Sequence, residues 1–142
     1  LSGSEFLADN GGRIRNWPQQ HYDNGVWKNN ATSKRFKRIV RIVKRLRNEM
    51  AAGGVHEADP IPSFLIECLV WNVPNDGFGR ATLTADVRYA LAYTFNETMN
   101  DEKCHEWGEV SELKYLFRNS QPWTREQAHA FLGAAWDYVG FE

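Results

Sequence analysis

The stretch SKRFKRIVRIVKRLRNEM, residues 33–50, decides the fold class of this chain. Its apolar side chains recur at three- and four-residue spacing, at Phe36, Ile39, Val40, Val43, Leu46 and Met50. That spacing predicts a helix that buries one stripe. On a helical wheel the opposite face carries six cations, Lys34, Lys37, Arg38, Arg41, Lys44 and Arg45. Thr32 or Ser33 is the expected N-cap, and the AAGG segment at 51–54 should end the helix.

A second helix is predicted to begin at the DPIPS segment, residues 59–63, because Pro62 suits a first helical turn. It should stop near Asn72, since Pro74 follows two residues later. This helix is apolar almost all round except at Glu67, which predicts a central, buried position. A buried carboxylate needs a partner, and Arg41 is the expected one.

Three more helices are predicted, over 81–100, 102–118 and 122–141. The first should face the core with Leu83, Val87, Ala90, Leu91, Phe95 and Met99. The second is weakened by Gly108, and the third has Thr124 and Gln127 set as a capping box. The core positions expected in the last helix are Ala128, Phe131, Leu132, Ala135, Trp136 and Val139. The predicted fold is all-α: a compact bundle of about five helices at 32–142.

Residues 1–31 are rich in Gly, Asn, Asp and Pro, and predict an irregular N-terminal arm. At most a short strand is expected near residues 13–17. Residues 1–6, LSGSEF, contain the GSEF that two joined cloning sites encode, so they are interpreted as either vector-derived or natural. With no Met before Met50, the chain is expected to be a piece of a longer polypeptide.

Composition restricts the kind of partner. Seventeen basic and eighteen acidic residues give a formal net charge of -1, so a charged ligand must be met by a local patch. No apolar run approaches the roughly 20 residues that span a bilayer, so no membrane role is expected. Cys68 and Cys104 lack a CxxC spacing and are interpreted as buried free thiols in a reducing cytoplasm.

No self-contained catalytic centre is expected. The four histidines are scattered, and none has a second ligand at metal spacing, so no metal site is predicted. The interesting one is His21, expected in a loop near the basic helix, where it should make an ordering hydrogen bond. Glu57 and Asp59 lie in a turn and are interpreted as solvated. The basic helix has three open interpretations: a solvated face, a duplex nucleic-acid surface, or a phosphate-binding surface.

Several linked motifs resemble the C-terminal helical part of the oligoadenylate synthetase and cyclic GMP-AMP synthase superfamily, above all its bacterial members, the CD-NTases. The chain has NWPQQHYDN, KNNAT, FKRIVRIVKRLR and SFLIECLVWNVP where that family tends to show NxPxxHxxN, KNxxT, FKxxVRxxKxxR and SFxxExLxxNVP. The resemblance covers residues 13–76 by motif. It implies a nucleotidyltransferase that makes cyclic oligonucleotides from ATP or GTP with Mg²⁺ in anti-phage defence.

The resemblance also assigns roles to residues. It implies that Lys37 reaches the triphosphate, that Ser63 touches the same phosphates, and that Phe64 stacks on the base. Lys28 and Thr32 belong to the KNxxT segment, with Asn29, and are expected to shape the same nucleotide pocket or to cap the loop. The position of Ser63 in a first helical turn fits an anion site, because free N–H groups lie there.

The chain departs from the family in lacking a Gly-Ser motif and strand-borne metal-binding acids. The expectation is that these lie in an upstream catalytic domain and that the present chain is not itself catalytic. Two rival hypotheses stay open. One is a nucleic-acid-binding module that uses the Lys34, Arg38, Arg41 and Arg45 stripe. The other is a protein-interaction module that uses exposed Trp17 and Trp27.

Overall fold

A computed structural model describes residues 17–118 and 121–141 of the chain. Within these ranges there are six α-helices: α1 (Trp17–Ala31), α2 (Arg35–Ala52), α3 (Ser63–Trp71), α4 (Leu83–Glu97), α5 (Asp101–Cys104) and α6 (Arg125–Val139). Short 3-10 helices, His56–Ala58 and Asn75–Gly77, lie on either side of α3. The same ranges contain no β-strand, and the predicted all-α class is confirmed.

Helix α2 is the axis of the bundle, because it packs against α1, α3, α4 and α6. Its apolar stripe is buried as its spacing predicts, with Phe36, Ile39 and Met50 fully excluded from solvent. Full burial of one such side chain stabilises the fold by about 1.5–3 kcal/mol. Gly53 follows the last turn, as the sequence indicates.

Helix α3 is the central helix. Five of its nine residues are buried: Leu65, Ile66, Cys68, Leu69 and Val70. Asn72 ends it, and the Asn72 amide donates hydrogen bonds to the carbonyl oxygens of Cys68 and Gly108. These bonds hold the end of α3 against the irregular segment that precedes α6.

The prediction of an irregular arm is wrong for residues 17–31, which form helix α1. Pro18 is tolerated because its missing N–H would have no helical partner in the first turn. The helix is polar, and its side chains support it locally: Gln19 donates to Asp23 at 2.8 Å. It is also held from outside, since the Asn24 amide donates to Val110 O at 2.7 Å. Tertiary contacts therefore override the weak propensity of the Gly and Asn residues.

Residues 1–16 lie outside the described part. The vector-derived interpretation of 1–6 and nearly all of the predicted strand fall there. Trp17, the last residue of that strand, is the first residue of α1.

The predicted helix over 102–118 is also wrong beyond Cys104. After α5 the chain makes turns, with Glu112 in the left-handed region at φ 61°. An isolated antiparallel bridge joins Gly108 to Tyr115. Val110 and Leu116 are nevertheless fully buried, so the apolar residues of this stretch reach the core from turns. These apolar residues recur at helical spacing in the sequence, but the segment that carries them is not a helix.

The last helix, α6, has the predicted capping box, with Thr124 accepting from Gln127 N and Gln127 bonding back to Thr124 N.

Two of the predicted core residues are wrong, because Met99, after α4, is 51% exposed and Val139, at the end of α6, is 42% exposed. Cys68 and Cys104 are free and buried, as expected. In the described part, no helix combines the length and the hydrophobicity needed to cross a membrane.

Candidate functional site

Three helices bring charged side chains together around Glu67 of α3. His21 Nε2, from α1, lies 3.4 Å from Glu67 Oε2. Lys44 Nζ, from α2, lies 4.0 Å from Glu67 Oε1. The Glu67 side chain is only 16% exposed, so this carboxylate is largely buried and contacts both His21 and Lys44.

Lys37 belongs to the same group. A point at the Cβ position of Gly25 in α1 would lie 3.6 Å from Lys37 Nζ and 3.9 Å from Glu67 Oε2. Lys37 Nζ and Glu67 Oε2 therefore both lie against α1 at Gly25, at ordinary van der Waals distance. We call His21, Lys37, Lys44 and Glu67 the Glu67 cluster.

The electrostatics of the Glu67 cluster favour an ionised acid. The hydrogen bond from His21 holds the pKa of Glu67 below its ordinary value, against the opposing effect of burial. The charges of Lys44 and Lys37 act in the same direction as the hydrogen bond. One carboxylate thus faces two ammonium groups and an imidazole, and the cluster carries a surplus of positive charge that can attract an anion.

The predicted partner of Glu67 is wrong. Arg41 is exposed, and the contacts of Glu67 are with His21 and Lys44. Lys44 lies on the side of α2 that faces α3, nearly one turn beyond Arg41. His21 was expected in a loop and instead lies on α1, although the expected ordering contact is present.

Ser63 is the first residue of α3, and its hydroxyl already has a protein partner. Arg47 Nη2 donates to Ser63 Oγ at 2.8 Å, and Arg47 Nη1 donates to Ile61 O at 2.7 Å. Arg47 therefore fixes the entry of α3 against α2. Sequence reasoning missed Arg47, because it is neither in the apolar stripe nor on the opposite cationic face.

Phe64 is an exposed ring supported by other rings. Its side chain is 39% exposed although it starts a buried helix. The His21 ring stacks on it at a centroid distance of 5.5 Å and an interplanar angle of 27°. Trp123 lies at 5.9 Å and 36° on the segment before α6. Phe64 is thus a partly exposed ring in contact with two other rings.

The KNNAT segment, residues 28–32, forms the junction between α1 and α2. Thr32 Oγ1 accepts from Phe36 N at 2.9 Å, and Asn29 Oδ1 accepts from Lys37 N at 3.0 Å. Thr32 therefore caps the start of α2 although the N-cap position itself is Lys34, in the left-handed region. Through Asn29 the junction also fixes the backbone of Lys37.

Lys28 is buried at this junction, with 5% of its surface exposed. Its ammonium group donates to Val73 O at 2.8 Å and to Asn75 Oδ1 at 2.7 Å. It also lies 5.2 Å from the centroid of the Trp71 ring. Lys28 and Thr32 thus have internal partners, and direct contact of either with a nucleotide stays a prediction.

Ser63 and Phe64 lie one turn before Glu67 on α3, and Lys37 and Lys44 of α2 act on the Glu67 carboxylate. Cations next to a supported, half-open ring suit a ligand with an anionic part and a planar part. In the described residues, no three His, Cys, Asp or Glu side chains gather as a metal site.

A separate cleft of about 440 Å³ lies between α4 and α6, lined by Phe95, Gly133 and Trp136 among others. None of the residues that line it belongs to the Glu67 cluster. The cleft therefore does not define the candidate site.

Comparison with known proteins defines the class. The family of the cGAS/DncV-like nucleotidyltransferase C-terminal helical domain matches residues 23–140. The chain belongs to this family.

Particular relatives are cyclic nucleotide synthases. The chain is 42% identical over 142 residues to the cyclic dipyrimidine nucleotide synthase CdnE of Cecembia lonarensis, covering 99% of the chain and 48% of that protein. It is 35% identical over 140 residues to the cyclic dipurine nucleotide synthase of Elizabethkingia meningoseptica, covering 99% and 47%. The chain therefore spans a little under half the length of these relatives.

Solved structures agree with this assignment. The Elizabethkingia meningoseptica CdnE cyclic dinucleotide synthase, determined with GTP and Apcpp, is similar with a TM-score of 0.81 and 36% identity. That similarity covers 87% of this chain and 45% of the other. The Rhodothermus marinus CdnE c-UMP-AMP synthase, determined with Apcpp and Upnpp, gives a TM-score of 0.73 at 26% identity, over 88% and 42%.

Proposed function

We propose that this chain is the nucleotide-binding helical domain of a metal-dependent nucleotidyltransferase that makes cyclic oligonucleotides from ATP or GTP. The family assignment and the cyclic nucleotide synthases among its relatives support this activity. The proposed setting is anti-phage defence in the cytoplasm, in keeping with the bacterial CD-NTases that the motifs resemble.

The observation that carries the proposal is the Glu67 cluster beside Phe64. Lys37 binds the triphosphate of the donor nucleotide, because its side chain is only partly buried and belongs to a cluster with a surplus of positive charge. Ser63 donates its hydroxyl hydrogen to a phosphate oxygen while its oxygen accepts from Arg47. Phe64 stacks on the base, and the His21 and Trp123 rings support it.

Lys28 and Thr32 support nucleotide binding from inside the fold. Thr32 caps the start of the helix that carries Lys37, and Lys28 ties α1 to the loop after α3. Their proposed role is to hold the nucleotide pocket in shape. Direct phosphate contact by either residue would require these internal bonds to be exchanged.

The chemistry that follows is phosphoryl transfer. A hydroxyl of the acceptor nucleotide attacks the α-phosphate of the donor, a new phosphodiester forms, and pyrophosphate leaves. The described residues do not form a magnesium site. In the proposal, Mg²⁺ and the catalytic acids belong to an upstream catalytic domain of the same polypeptide, and this chain is not catalytic alone. Its contribution is to position the triphosphate and to neutralise its charge.

The experiment that tests the proposal is titration of the 142-residue chain with ATP and with GTP, followed by NMR chemical shifts. Lys37→Ala should weaken binding about tenfold to a hundredfold, the scale of a hydrogen bond to a charged group. Arg38→Ala is the matched control, because Arg38 is an exposed cation on the same helix outside the Glu67 cluster. Equal affinities for all three proteins would refute the site.

A second candidate function is duplex nucleic-acid binding, favoured by one observation. Lys34, Arg38, Arg41 and Arg45 are all exposed along α2. Such a stripe predicts affinity that falls steeply with salt. A fluorescence-anisotropy titration with duplex DNA at low and high salt separates the two functions, since Arg38→Ala should weaken DNA binding and leave ATP binding unchanged.

A further inference from the structure

We propose that His21 is a positioning residue that couples recognition of the base to recognition of the triphosphate. This inference rests on the proposed nucleotide site. His21 touches both halves of that site from a third helix, α1, and does so with one small ring.

The first contact is with the base-stacking side chain. The imidazole of His21 is stacked on Phe64, with ring centroids 5.5 Å apart. Phe64 is 39% exposed, so its orientation depends on the rings that contact it. Without the His21 ring, the ring contact of Phe64 that remains among the described residues is Trp123, at 5.9 Å. Base stacking would then require Phe64 to be ordered by the ligand itself, which costs affinity.

The second contact is with the acid of the phosphate site. Nε2 of His21 lies 3.4 Å from Glu67 Oε2, while Lys44 lies at 4.0 Å from the other carboxylate oxygen. Glu67 is ionised, and the charge of Lys37 also acts on it. If the His21 contact is removed, Glu67 is left to Lys37 and Lys44 alone. The carboxylate then competes more strongly with the phosphates for these two ammonium groups.

The two contacts can be separated by substitution. His21→Phe keeps an aromatic ring against Phe64 but removes the nitrogen that contacts Glu67. His21→Gln keeps an N–H that can reach Glu67, in place of Nε2, but removes the ring. The two variants are therefore matched controls for each other, and each should lose one half of the coupling.

The test uses two ligands, ATP and inorganic tripolyphosphate, with the 142-residue chain. The ratio of their affinities measures the contribution of the nucleoside. His21→Phe should weaken both ligands by about threefold to tenfold, the scale of one hydrogen bond, and leave the ratio unchanged. His21→Gln should weaken ATP by a similar factor and leave tripolyphosphate unchanged, so the ratio falls.

Each alternative outcome has a definite meaning. Wild-type protein that binds neither ligand would refute the proposed function itself. Wild-type protein that binds both ligands, with affinities that His21→Phe does not change or with an affinity ratio that His21→Gln does not change, would refute the role of His21 alone. Thermal unfolding of each variant establishes that it is folded, and if one variant does not fold, the other still tests its own half.

Discussion

Nε2 of His21 lies 3.4 Å from Oε2 of Glu67, so the one acid of the buried helix α3 is paired with a residue of α1. This contact explains how a carboxylate is tolerated in an otherwise apolar helix. Burial disfavours the charge, and the hydrogen bond together with the nearby cations more than compensates, because the pKa of Glu67 is lowered in the fold.

Glu67→Gln should therefore destabilise the chain in a pH-dependent way. A folded pKa below the unfolded value means that the stabilisation is present above the unfolded pKa, about 4.3, and is lost as pH falls through the folded pKa. We expect a difference of about 1 kcal/mol in the free energy of unfolding at pH 7 that disappears near pH 3. Urea unfolding of both proteins at the two pH values measures it. A difference independent of pH would contradict the prediction.

Phe64→Ala should weaken ATP binding by about tenfold or more, since stacking of a base on an aromatic ring contributes about 1–3 kcal/mol. Phe64→Tyr should keep most of the affinity, because a ring remains at the surface. Tyr22→Ala is the control, as Tyr22 is an exposed aromatic residue of α1, 61% accessible. ATP titrations of the three variants check the prediction. Retention of full affinity in Phe64→Ala would exclude stacking.

Asp86→Asn should be among the most destabilising single substitutions outside the apolar core. Asp86 is buried at 1% exposure, and its carboxylate accepts from Arg35 at 2.6 Å and from Arg80 N at 2.8 Å. Loss of the charge leaves the half-buried Arg35 at the start of α2 without its partner. We expect a loss of about 3 kcal/mol in the free energy of unfolding, measured by urea denaturation. The control is Asp101→Asn, because the Asp101 side chain is 82% exposed and should cost under 1 kcal/mol.

The helices that could be predicted from sequence are those whose local signals agree with one another. In α2, regular apolar spacing is followed by Gly53, and in α6 the spacing follows a capping box. The chain shows no such agreement in α1, where Gly25 and the Asn residues argue against a helix and distant contacts stabilise it. Over 102–118 the apolar spacing was present without a helix, because the turns place Val110 and Leu116 in the core by another route.

Motif resemblance points to Lys37, Ser63 and Phe64 as site residues, and their contact with a nucleotide stays a prediction. The partners of these residues could not be deduced from local spacing. His21 reaches the site from a helix that was not predicted, and Arg47 contacts Ser63 because of the angle between α2 and α3.

Ser63→Ala tests the link between Ser63 and Arg47. The substitution removes the acceptor of the Arg47 hydrogen bond, whereas Arg47 keeps its bond to Ile61 O at 2.7 Å. We expect a loss of about 1 kcal/mol in the free energy of unfolding and a lower affinity for ATP. Arg47→Ala should cost more stability, and the double variant should cost less than the sum, since the two residues share one contact. Additive losses in urea denaturation would show that the contact contributes nothing.

Lys28 should make the stability of the chain rise at alkaline pH. Burial lowers the pKa of Lys28 to about 8, from an ordinary value of 10.5. Between these two values the unfolded chain binds more protons than the folded chain, so the free energy of unfolding increases with pH. The full difference corresponds to about 3 kcal/mol. Lys28→Met removes the ammonium group and keeps an unbranched side chain among Phe36, Trp71 and Phe78. From pH 7.5 to pH 10.5 the free energy of unfolding, measured with urea, should therefore increase more for the wild type than for Lys28→Met. The same pH dependence in both proteins would rule out a buried charge at Lys28.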